Sequence, residues 1–120
     1  FDHQKCDLQK STDGERGLTL ARAETCHKKA LVILQNEDDE AGAARELSCV
    51  ARLQAMQGQH ARALGSLTRE LNIVQRFDND AQAESARVMG SLGLAHAAAG
   101  DSAKAAACLA AHLEGASVDA

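Results

Sequence analysis

Three arginines are the residues of this 120-residue chain whose type and spacing best suit binding chemistry. Arg45 and Arg52 lie seven positions apart, two turns of an α-helix, and therefore share a face. Arg87 follows Arg45 by 42 residues, an interval that recurs elsewhere in the chain. Guanidinium groups gathered on one surface bind carboxylates through paired, parallel hydrogen bonds. The competing reading is a set of solvated arginines that pair with Glu40, Glu46 or Glu84. The repeated interval, more than charge alone, selects Arg45, Arg52 and Arg87 as partner-binding candidates.

Other reactive residues are less well arranged. Cys108 and His112 stand at i and i+4, a spacing that offers two metal ligands. Two ligands make a poor site, so the pair reads as a buried thiol and a helix-end histidine, and His3 with Cys6 is read in the same way. Cys26 and His27 are adjacent and point about 100° apart on a helix. They cannot act as nucleophile and base on one substrate. Gly90, Gly93 and Gly100 belong to neither a P-loop nor a dinucleotide-binding motif. No catalytic, metal or cofactor site is expected, and the chain reads as a non-enzyme.

The elements that must carry the arginines follow from composition and periodicity. Proline is absent, only two Phe represent the aromatics, and β-branched residues show no strand-type alternation. The fold class is all-α. The formal net charge of −4 gives no electrostatic reason to expect nucleic acid, and no apolar run approaches the length of a membrane span. Four cysteines show neither CxxC spacing nor framework density, which suits reduced thiols in a cytoplasmic or nuclear protein. The chain opens on Phe1 without a signal-peptide pattern and reads as an excerpt of a longer protein.

Residues 1–16 are poorly periodic, and Ser11-Thr12-Asp13-Gly14 reads as a loop, so this segment is expected to be a loop or the remnant of a preceding repeat. Helical spacing runs over 18–34, 41–57, 60–76, 81–99 and 102–113. Acidic turns at 37–40 and 77–80 and glycine turns at Gly58 and Gly100 separate these stretches. Residues 17–115 are thus a run of helical repeats, and 116–120 a frayed tail.

Within that run Val50-Ala51, Gly58, Ala63 and Leu67 recur as Leu92-Gly93, Gly100, Ala105 and Leu109. The pattern resembles the tetratricopeptide repeat (TPR), with small residues where helices approach and larger ones filling the gaps beside them. A period of 40–42 residues is similar to the long-repeat subgroup of Pins/LGN-type spindle adaptors, rapsyn and Tonsoku-like proteins. The resemblance implies a solenoid of antiparallel helix pairs, about two and a half repeats, with His27 in an apolar slot and His96 in an aromatic one. It further implies that the first helix of each repeat lines a concave groove. Arg45, Arg52 and Arg87 would lie there and hold an acidic partner peptide, as in a scaffold or adaptor. The alternative is a structural or self-associating repeat segment with no ligand of its own. The partners expected are a protein or peptide and flanking repeats, with no direct nucleic-acid contact and no membrane.

Overall fold

The computed structural model describes residues 2–77 and 81–118, with side chains over 16–76 and 83–115. Five helices make up the described residues: α1 (Asp2–Asn36), α2 (Glu40–Met56), α3 (His60–Phe77), α4 (Ala81–Ala98) and α5 (Ser102–Val118). The chain is all-α and repeat-like. Two hairpins, α2/α3 and α4/α5, follow one leading helix, and the connections at 37–39, 57–59 and 99–101 each leave three residues outside the helices.

Three connections share one backbone solution. In each, one residue adopts a left-handed conformation: Asp38 (φ 58°), Gly58 (φ 75°) and Gly100 (φ 89°). Its N–H reaches the carbonyl three residues back, and the next N–H reaches five back. The bonds are Asp38 to Gln35 and Asp39 to Leu34, Gly58 to Ala55 and Gln59 to Gln54, Gly100 to Ala97 and Asp101 to His96. This paired closure satisfies the last carbonyls of the outgoing helix. Glycine takes the left-handed conformation without a side-chain clash, whereas Asp38 is one of the few other residue types that tolerate it. The next helix then starts on a carboxylate in two of the three cases. Asp39 Oδ1 accepts the Gly42 N–H at 2.9 Å, and Asp101 Oδ1 accepts the Lys104 N–H at 3.1 Å.

Two segments differ from the sequence reading. Ser11-Thr12-Asp13-Gly14, read as a loop, lies inside α1, which runs unbroken from Asp2 to Asn36. Without proline, each of these residues adds at most about 1 kcal/mol against an already nucleated helix. The tail read as frayed over 116–120 is helical as far as Val118, and Gly115 just before it is buried. The acidic turn over 78–80 lies outside the described residues.

Each helix packs on its neighbours in sequence. One apolar cluster joins Leu31 of α1, Ala43, Ala44 and Leu47 of α2, and Ile73 and Val74 of α3. A second joins Ala51, Leu67, Val88, Leu92 and Ala95, with Cys108 of α5 packed against it. Gly93 lets α5 approach α4: a Cβ there would stand 2.8 Å from Leu109 Cγ and 3.4 Å from the Ala105 carbonyl oxygen. The Cα radius of gyration is 17.1 Å, against about 14 Å for a compact chain of this length. The molecule is elongated, as a stack is.

Polar bonds supplement the apolar packing of the first three helices. Glu24 of α1 is buried, yet both its oxygens are occupied. Oε1 accepts from Gln57 Nε2 at 2.9 Å, and Oε2 accepts from Gln54 Nε2 at 3.3 Å and pairs with Lys28 Nζ at 2.7 Å. Ser66 of α3 extends the chain of bonds by donating to Gln54 Oε1 at 2.7 Å. The Lys28 bond, helped by those from Gln57 and Gln54 and opposed by burial, holds the Glu24 carboxyl below the usual carboxylate range.

Candidate functional site

The register that relates Arg45 to Arg87 places both on one cleft. It lies between α2, α3 and α4, has a volume of about 1110 Å³, and is lined by Ala44, Arg45, Ser48 and Cys49 of α2. Glu70, Ile73 and Val74 of α3 and Glu84 and Arg87 of α4 line it from the other sides, with Asp38 and Glu40 at the end of α2. Arg52, two turns farther along α2, is exposed and is not among the residues that line the cleft.

The two cleft arginines are in different states. Arg87 Nη2 bonds Glu70 Oε2 at 2.6 Å, and its Nε bonds Glu84 Oε2 at 3.2 Å. The Glu84 pairing is the one that the competing reading anticipated. Partial burial works against the charge of Arg87, but Glu70 and Glu84 outweigh it and hold its pKa above the ordinary value. Arg45, by contrast, makes no ion pair among the described residues. Its positive charge stays available to a ligand.

Glu70 is the residue that sequence reasoning missed. Its side chain is only 1% exposed, and Oε1 has no hydrogen-bond partner among the described residues. Burial pushes its carboxyl pKa up, Arg87 pulls the other way without cancelling, and the Glu84 charge adds to the rise. The signal was present in the spacing. Glu70 follows Leu67 by three positions and precedes Val74 by four, which sets a carboxylate on the apolar stripe of α3.

The histidines also find specific partners. His27 does not fill an apolar slot; its Nδ1 lies 2.5 Å from Glu46 Oε2 across the α1/α2 interface. His112 folds over Gly90, where a Cβ would approach its Nδ1 to 2.9 Å, and Nδ1 donates to the Ala86 carbonyl at 2.6 Å. It is thus engaged with α4, while Cys108 packs against the second apolar cluster. No helix among the described residues is long and apolar enough to cross a membrane. Neither a protein-family model, nor a curated protein, nor a solved structure matches this chain.

Proposed function

We propose that this chain is a scaffold segment of TPR-like helical repeats that binds a partner peptide in the cleft between α2, α3 and α4. The observation that carries the reading is a cleft of about 1110 Å³ with Ala44, Ile73 and Val74 on its walls and an uncommitted guanidinium, Arg45, among them. That combination of apolar lining and a few placed polar groups is what a binding site offers a ligand. The peptide presents an apolar residue to Ala44, Ile73 and Val74 and an Asp or Glu to Arg45. Arg87 already faces two carboxylates and serves as a wall of the cleft. Arg52, about 10 Å farther along the helix, meets only a ligand that runs beyond the cleft. No catalytic residue or cofactor enters this reading, which suits a cytoplasmic or nuclear adaptor.

The test is to select displayed random peptides on the full chain and to measure the affinity of the winners at low and high salt. Enrichment of Asp or Glu beside an apolar residue is expected. Affinity should fall with salt and drop tenfold or more, about 1.4 kcal/mol, in Arg45→Glu. A smaller loss is expected for Arg52→Glu. Unchanged binding by Arg45→Glu overturns the assignment.

One observation favours a second reading, association with further repeats or with copies of the chain. Leu109 and Leu113 of α5 are 36% and 64% exposed and lie one turn apart, which sets two exposed leucines on one face of the last helix, as stacking against a further helix requires. Sedimentation of the wild type against Leu109→Gln/Leu113→Gln separates this reading from peptide binding.

A further inference from the structure

Outside the cleft arginines, three donors of three kinds converge at the α1/α2 interface. They are a ring nitrogen of His27, a carboxylate oxygen of Glu46 and Cys49 Sγ, all within 4.8 Å of one another. Among the described residues this is the one group of three or more such donors. We propose that His27, Glu46 and Cys49 form a zinc site, with a water molecule as the fourth ligand.

The local structure supplies the geometry. Glu46 and Cys49 are three positions apart on α2 and so lie on one face. α1 packs antiparallel against that face and brings His27 over it, with Nδ1 at 2.5 Å from Glu46 Oε2. A tetrahedral zinc ion holds nitrogen and oxygen ligands at about 2.0–2.2 Å and sulfur at about 2.3 Å. Adjacent ligand atoms are then about 3.3–3.6 Å apart by tetrahedral geometry. To reach that spacing the His27–Glu46 contact must open from 2.5 Å and the thiol must draw in from within 4.8 Å of the other two donors.

The chemistry balances. Without metal, the proton between Nδ1 and Oε2 joins the histidine to the carboxylate. On zinc binding the neutral imidazole moves its one proton from Nδ1 to Nε2 by exchange with solvent, the metal accepts the freed Nδ1 lone pair and the carboxylate oxygen, and the Cys49 thiol loses its proton to solvent on becoming a thiolate ligand. Imidazole, thiolate and carboxylate together suit zinc better than magnesium or calcium, which take oxygen donors. Access is open: the side chains of His27 and Glu46 are 37% and 23% exposed. Cys26, next to His27, is exposed and is not part of the group.

The experiment is a zinc titration of the reduced full chain against a chromogenic chelator, with Co²⁺ as a spectroscopic substitute. One equivalent of zinc should bind. His27→Gln and Cys49→Ser should each weaken it by about 100-fold or more, since even outer-shell changes cost 10–100-fold. Glu46→Gln should weaken it as well. Co²⁺ should give a thiolate charge-transfer band and tetrahedral d–d bands, both absent in Cys49→Ser. Cys26→Ser and Cys108→Ser should bind as the wild type does. Circular dichroism confirms that each variant is folded, with Cys49→Ala as the replacement should Cys49→Ser be unfolded. Wild-type affinity no greater than that of the Cys49 variant overturns the proposal. So does binding that survives Cys49→Ser but is lost in Cys6→Ser or Cys26→Ser.

Discussion

Glu24 and Glu70 are both buried carboxylates at helix interfaces, yet they behave in opposite ways. Glu24, between α1 and α2, has Lys28, Gln54 and Gln57 on its two oxygens. Glu70, between α3 and α4, has Arg87 on one oxygen and nothing on the other among the described residues. The first carboxyl is pulled below its ordinary pKa and the second is pushed above it. Burial alone does not decide the sign. The number of donors that replace lost water does.

Removing a donor should have its largest effect where there is only one. Arg87→Ala leaves the Glu70 carboxylate buried without compensation. The expected loss is about 2–3 kcal/mol, below the range for fully buried pairs because the guanidinium is half exposed. Urea denaturation measures it, and a loss no greater than that for Lys28→Ala, which leaves Glu24 its bonds from Gln54 and Gln57 and should cost under about 1 kcal/mol, would erase the distinction between the two sites.

Next comes a perturbation that involves no charge. Gly93→Leu drives a side chain into Leu109 at the α4/α5 contact and should cost about 2 kcal/mol. Thermal unfolding should show the same loss at pH 4 and pH 7. A loss that varies with pH would mean that α5 packing is coupled to the Glu70 pair.

The two glutamine variants complete the comparison with smaller effects. Glu24 has its folded pKa below the unfolded value near 4.5, so its stabilisation is present above that pH and is lost as pH falls through the folded pKa. Glu24→Gln should therefore cost about 1 kcal/mol at neutral pH and nothing in acid. Glu70 runs in reverse: its folded pKa is raised, so its contribution is full below about 4.5 and is lost as pH rises through the folded value. Glu70→Gln mimics the protonated acid and should gain less than about 1 kcal/mol at neutral pH, with no change in acid. Equal slopes of stability against pH in the two variants would refute the assignment of opposite shifts.

These contrasts mark how far the sequence could be read. Gly58 and Gly100 identified their turns because a left-handed residue is a local requirement that glycine meets best. Asp38 fills the same role, and there only the surrounding acidic stretch announced a turn. The loop expected within residues 1–16 was misjudged because weak helix formers in one short segment do not end a helix that has no proline. Arg45 and Arg87, 42 residues apart, line one cleft, whereas Arg52, expected on the same surface, is not among its lining residues. The Glu70–Arg87 bond and the His27–Glu46 contact were not visible, since they span 17 and 19 residues across helix interfaces. Spacing within a helix reports which face a residue occupies, and says little about what the neighbouring helix places opposite.

The packing of each helix on its sequence neighbours also governs how the chain finds its structure. The described connections, 37–39, 57–59 and 99–101, are each three residues long, so the entropy lost in joining those helices is small and nearly the same at each. Low contact order of this kind goes with rapid folding. It also lets order spread from one hairpin to the next, without first bringing together distant parts of the chain. The Gln54–Ser66 bond, inside the α2/α3 hairpin, links residues only 12 apart. That hairpin, held on one side by α1 and on the other by α4, should be the last to open, and hydrogen exchange should show the outer helices releasing their amide protons first.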